Sequence, residues 1–137
     1  MSKPHVHVAV AIVRRGKNWL VAKRYTDAHL GGRWEFPGGK INAGESPADS
    51  AVRELREECA LHAEPRHTLA PVHFEYADRI VHITPVICAW TSGEPAPLAN
   101  QACAWVSTPH LRRLRMPPAN TEIIQNVLGF LEVEYPP

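Results

Sequence analysis

Five carboxylates fall within the fourteen residues from Glu45 to Glu58, on one short helical pattern and the loop before it. No other feature restricts the fold as much, because like charges one turn apart destabilise a helix. The helix signals are nevertheless strong. Ser46 is a good N-cap, Pro47 suits the first helical position, and Asp49 completes a capping pattern. Ala48, Val52, Leu55 and Cys59 recur at helical spacing and predict one apolar face. Glu54, Glu57 and Glu58 stand at i, i+3 and i+4 and share another face, roughly opposite.

Two explanations fit this acidic face. It is a solvated surface, with Arg53 and Arg56 pairing some of the glutamates at about 0.2–0.5 kcal/mol each. Or it is a platform for a hard cation. The glutamates follow Pro37-Gly38-Gly39, a turn directly after the short strand Trp34–Phe36, and glycine lets backbone carbonyls approach an ion closely. Mg²⁺ takes oxygen ligands, commonly one or two carboxylates together with phosphate oxygens. Such an ion would offset the repulsion among the glutamates.

The rest of the chain sets limits on what such a platform could serve. Its 137 residues suit one domain, 1–137, with a single core that needs no disulfides. A net charge of +1 argues against a nucleic-acid polymer as partner but not against a single nucleotide. Cys59, Cys88 and Cys103 are odd in number and lack metal spacing, so they read as reduced core thiols of a cytoplasmic protein. The histidines likewise show no metal spacing. The start of the chain lacks the apolar run of a signal peptide, and Val8–Val13 is too short to span a membrane.

Strands are predicted over His5–Val13, Trp19–Arg24, Trp34–Phe36, Pro71–Tyr76, Ile80–Trp90 and Cys103–Val106. Pro85 marks the fifth of these as an edge strand or a bulge. A brief helix spans His110–Arg115. Asn120 or Thr121 caps a last amphipathic helix carrying Ile123, Ile124, Val127, Leu128 and Leu131. Strands, helix, strands, helix predict an α/β (α+β) sandwich, with a mixed sheet between helices.

Gly39, then Glu45 after five residues, then Arg53-Glu54-Leu55-Arg56-Glu57-Glu58 after seven more, resembles the signature box of the Nudix hydrolases. Leu61 fits its last apolar position, whereas Ala60 stands where the box has glycine. Asp27-Ala28-His29, Trp34 to Ile41, Phe74-Glu75-Tyr76, Asp78-Arg79, His82-Ile83-Thr84, Gly93-Glu94-Pro95, Trp105 and Pro117-Pro118-Ala119-Asn120 are similar to the MutT-type branch of that family.

The resemblance implies the Nudix fold and a monomer that hydrolyses a nucleoside triphosphate to a monophosphate and pyrophosphate. It implies Mg²⁺, with Mn²⁺ as an alternative, held by Glu54, Glu57, Glu58 and the Gly38 carbonyl. Arg53 would steady the carboxylates and Glu45 would support them. Arg24 would meet phosphate, while Phe36, Arg79 and Asn120 would meet the rest of the substrate. For this branch the substrate is 8-oxo-dGTP. CTP or a modified pyrimidine nucleotide is the alternative, as is a catalytically weak nucleotide-binding module. Ala99 falls where the branch carries a further loop glutamate, so Glu54 or Glu57 is left as the base.

Overall fold

A computed structural model describes residues 2–27 and 31–134. Ala28 and His29, two members of the Asp27-Ala28-His29 match, lie outside the described residues. Eight strands make a mixed sheet. Its centre is the parallel pair β1 (His5–Arg15) and β7 (Ile80–Ser92), in register from His5↔Ile80 to Arg14↔Ala89. β2 (Asn18–Lys23) returns antiparallel and carries β8 (Ala102–Ser107) on its far side. The far side of β7 is shared by β5 (His62–Thr68) and β6 (Val72–Glu75).

The unbroken apolar run of β1 follows from burial on both faces of the sheet. Ala9, Ala11 and Val13 point to one side, where Ala51, Leu55 and Cys59 of α1 (Pro47–Cys59) cover them. Val10 and Ile12 point to the other, toward Leu111 of α2 (Thr108–Arg113) and Ile123, Val127 and Leu131 of α3 (Pro118–Glu134). The expected sandwich of a mixed sheet between helices is the architecture observed.

Several expectations change in detail. The buried face of α1 runs through Ala51, Leu55 and Cys59, with Ala48 only partly covered and Val52 outside the core. Pro85 does not sit in an edge strand. β7 is flanked on both sides, and Pro85 is fully buried opposite Val10. Its carbonyl accepts from Leu69 N–H at 2.9 Å. In a strand the N–H and C=O of one residue point the same way, so the missing donor faces the gap where β5 ends at Thr68 and β6 begins at Val72. No ladder bond is lost there. Short strands β3 (Trp34–Glu35) and β4 (Gly38–Lys40), the second within the expected breaker, complete the sheet. β5, with Pro65 at a register shift, escaped the pattern too.

The box glycine position has a clear cost. Ala60 ends α1 with φ 58° and ψ 28°, the left-handed region, and its N–H reaches the Arg56 carbonyl at 3.1 Å. A side chain is disfavoured in this conformation. Ala60→Gly should therefore raise the unfolding free energy by about 0.5–1 kcal/mol, relief of strain outweighing the added chain entropy. Urea denaturation of the two proteins measures this.

Histidines that look unrelated along the chain meet on the sheet. Register places His7 beside His82 and His82 beside His73. His5 Nδ1 lies 2.6 Å from His82 Nε2, and His73 Nδ1 lies 2.5 Å from His82 Nδ1. Desolvation among these rings, then the charges of His73, His7 and His5, hold His82 below its ordinary value of 6.5. The unfolded chain thus binds the proton more readily, so folding stability should fall as pH drops below 6.5. His82→Gln should flatten that loss, read as the urea midpoint at neutral and mildly acidic pH.

Candidate active site

β1 and β2 pair only at their hairpin end, Arg14↔Trp19 and Arg15↔Asn18. Beyond it they part, and residues 34–40 fill the gap. β3 pairs with Ala22 and Lys23 of β2, β4 pairs with Val8, Ala9 and Val10 of β1, and Ala11 N–H donates to Pro37 O at 2.8 Å. This wedge passes so close to its neighbours that a side chain at either of two positions would force something to move. A Cβ on Gly38 would collide with the Ala9 carbonyl, and one on Gly39 would lie 2.6 Å from Glu54 Oε1. The glycine pair therefore brings the β4 backbone against the acidic face of α1.

The acidic residues divide into two groups. Arg53 gathers the first. Its Nε and Nη2 donate to the two oxygens of Glu45 at 2.8 and 3.0 Å, and its Nη1 donates to Glu54 at 3.0 Å and Glu57 at 3.1 Å. Nη2 also reaches the Lys40 carbonyl at 3.3 Å. Arg53 and the Asn42 N–H hold the Glu45 carboxyl down to about 2. Such charge-assisted, forked bonds fix both geometry and charge.

Glu58 stands apart from that knot. Its Oε2 accepts from Gly38 N–H at 2.9 Å. Burial, then the nearby charge of Glu54, push Glu58 up to about 8 against the pull of that N–H, with Glu35 and Cys103 adding smaller contributions. Glu54 and Glu57 turn toward Arg53, and among the described residues no three acidic, histidine or cysteine side chains are arranged to hold a metal ion. The donor set nevertheless suits a hard cation. It consists of oxygens only, and the Glu54–Glu58 repulsion that raises Glu58 is what a positive ion would relieve.

Beside Glu58 opens a cavity of about 400 Å³. It brings together six of the residues singled out from sequence: Arg24, Phe36, Gly38, Glu58, Arg79 and Asn120. Glu45, Arg53, Glu54 and Glu57 lie outside its lining. One wall is the α3-facing side of the sheet, with Val8, Val81 and Ile83. Arg24 Nη1 donates to Glu35 Oε2 at 2.8 Å, and the Arg79 guanidinium lies 4.9 Å from the Tyr76 ring. Burial raises Glu35 even though Arg24 draws it down. Glu35 and Tyr76 thus line the site without having been singled out. Only their place in the similar segments Trp34 to Ile41 and Phe74-Glu75-Tyr76 hinted at them.

Asn120 is not a helix cap. Pro118 opens α3, its fixed φ suiting a first helical position, which puts Asn120 inside the first turn with its N–H on the Pro117 carbonyl at 2.9 Å. The side chain is 7% exposed and faces the cavity. Among the described residues its amide has one hydrogen-bond partner, the Met116 thioether at 3.9 Å. Ala99 contributes no acid, but its loop is tied down. Leu98 N–H and Asn100 Nδ2 donate to the Glu58 carbonyl at 2.9 and 3.3 Å.

A strand wedged by glycines against an acidic helix thus lies beside a cavity lined by both apolar and charged side chains. Residues 8–126 match the family profile described as NUDIX domain. The chain is 33% identical over 120 residues to the 8-oxo-dGTP diphosphatase of Escherichia coli K12, covering 87% of this chain and 93% of that one. It is 30% identical over 120 residues to the CTP pyrophosphohydrolase of the same organism, covering 88% and 89%. The solution structure of the E. coli ORF135 protein superposes with a TM-score of 0.83 at 28% identity, covering 98% of this chain and 95% of that one. The chain belongs to the Nudix hydrolase family. No helix among its described residues is long and apolar enough to cross a membrane.

Proposed function

We propose that this Nudix hydrolase is a single-domain, monomeric, cytoplasmic pyrophosphohydrolase of 8-oxo-dGTP that works with Mg²⁺, or with Mn²⁺ in its place. The reading rests chiefly on Asn120, a nearly buried amide aimed into the cavity and not spent on capping its helix. Such an amide presents one acceptor and two donors. The oxidised guanine edge offers O6 as acceptor and N7–H as donor, which an amide can meet together. Ordinary guanine has no proton on N7, so the amide oxygen would face a lone pair. A buried polar group left unpaired costs about 1–3 kcal/mol, which is the source of the discrimination. The similarity to an 8-oxo-dGTP diphosphatase supports the same reading.

The base would lie against Val8 and Ile83, with the phosphates extending toward Arg24 and Gly38. Glu54, Glu57, Glu58 and the Gly38 carbonyl would hold the cation, and Arg53 keeps Glu54 and Glu57 in place. When bound, Mg²⁺ neutralises phosphate oxygens and lowers the pKa of the attacking water. Glu54 would accept that water's proton. It is held at 3.0 Å by Arg53 and is 16% exposed. The equally extended similarity to a CTP pyrophosphohydrolase supports a pyrimidine substrate as the second reading.

Steady-state hydrolysis of 8-oxo-dGTP, dGTP, CTP and 5-methyl-dCTP with Mg²⁺ decides between them. The expected result is a kcat/KM for 8-oxo-dGTP at least about tenfold above the others, as one satisfied buried polar contact would give. A larger value for CTP would retain the hydrolase and sink the role given to Asn120.

A further inference from the structure

Two of the three cysteines meet beside the acidic helix. Cys59 Sγ, in the last residue of α1, lies 3.0 Å from Cys103 Sγ on β8, and both thiols are free. A disulfide is about 2.05 Å long, so roughly 1 Å of approach separates this contact from a bond. The surroundings hold the pair in place. Ala96 N–H donates to the Cys59 carbonyl at 2.9 Å, and Asn100 Oδ1 lies 3.1 Å from Cys103 Sγ. Cys59 is fully buried while Cys103 is partly exposed, so an oxidant in solvent reaches Cys103 first. Cys88, also buried, has its Sγ on the Val86 carbonyl.

We propose that Cys59 and Cys103 form a peroxide-responsive disulfide that clamps β8 to the end of α1 and slows the hydrolase. The second half of this inference rests on the assignment of Glu58 and its helix to the active site. Hydrogen peroxide oxidises the Cys103 thiol to a sulfenic acid and one water is released. Cys59 Sγ then attacks that sulfur, the S–O bond breaks, and a second water leaves. Two thiols lose two electrons and two protons, and the peroxide becomes two waters. Cys59 follows Glu58, whose carboxylate grips the Gly38 N–H. Drawing the end of α1 toward β8 displaces that carboxylate. Misplacement by about 1 Å can cost on the order of 100-fold in rate, so a smaller shift should cost about tenfold.

The test treats the full chain, loaded with Mg²⁺, with hydrogen peroxide. Intact mass with peptide mapping, the Tm, and triphosphate hydrolysis before and after dithiothreitol are read for wild type, Cys103→Ala and Cys88→Ala. Wild type and Cys88→Ala should lose the mass of two hydrogens, with the cross-link mapped to Cys59 and Cys103. Their Tm should rise by on the order of 10 °C, as closing a long loop predicts. Their activity should fall about tenfold and return with dithiothreitol, the rate cost of displacing Glu58. Cys103→Ala should show none of these changes. Sulfinic acid without a cross-link, or a cross-link with unchanged turnover, would overturn the proposal. A protein that forms the bond but hydrolyses no triphosphate before oxidation would sink the functional reading and leave the bond standing.

Discussion

Glu54→Gln should lower kcat for triphosphate hydrolysis by about 10²–10⁴-fold while leaving the fold intact. Glutamine has the shape of the glutamate whose carboxylate packs over Gly39. It can still accept from Arg53 at the 3.0 Å contact. What it lacks is the charge to face a cation and the basicity to take a proton from water. Losing the ion pair with Arg53 costs little stability, because removing Glu54's charge also relieves the repulsion felt by Glu58. In the metal-free protein Glu58 should accordingly move down from about 8, since Glu54 is the second cause of that shift after burial. Turnover, Tm and a carboxyl titration by NMR check the three parts. Undiminished turnover would exclude Glu54 as the base.

Asn120→Ala should lower kcat/KM for 8-oxo-dGTP by about 10–100-fold and bring it toward the value for dGTP, the equivalent of about 1–3 kcal/mol from one buried polar contact. The same substitution should not weaken the protein. An N-cap asparagine replaced by alanine costs about 0.5–2 kcal/mol. Asn120, however, lies inside the first turn of α3, where alanine is the better helix former by up to about 0.7 kcal/mol. Kinetics and Tm together therefore separate recognition from capping. A lost preference at unchanged or higher Tm supports recognition, whereas a lower Tm with the preference kept would return Asn120 to a structural role.

Legibility in the sequence varied with the kind of pattern. The helix of residues 47–59 was readable because its signals are local. Ser46 accepts from Asp49 N–H at 3.1 Å as the capping pattern requires, and Pro47 opens the helix. Its apolar face was misjudged by part of a turn, because Ala48 and Val52 have the same spacing as Ala51 and Leu55 and only the sheet selects between them. β4 and β5 were missed for a related reason. Two glycines, or a proline within a polar run, carry no strand pattern of their own, and what makes them strands is the edge offered by β1 or β7. Pro85 was misplaced because the side of the strand on which a donor is missing depends on which neighbours end there.

The chain alone thus determined the elements whose causes lie within a few residues. These are the capped acidic helix and the apolar central strand. It also determined which residues share the acidic face, since helical periodicity needs no partner. Only the tertiary structure decided how those residues are used. It tied Glu45, Glu54 and Glu57 to Arg53 and left Glu58 on Gly38. It decided between the two readings of Asn120 by placing it inside the first turn of α3 and against the cavity, and it set Cys59 against Cys103 across a separation of 44 positions. Those outcomes depend on strands meeting across long stretches of chain, and a pairing energy between distant segments leaves no period in the sequence to read.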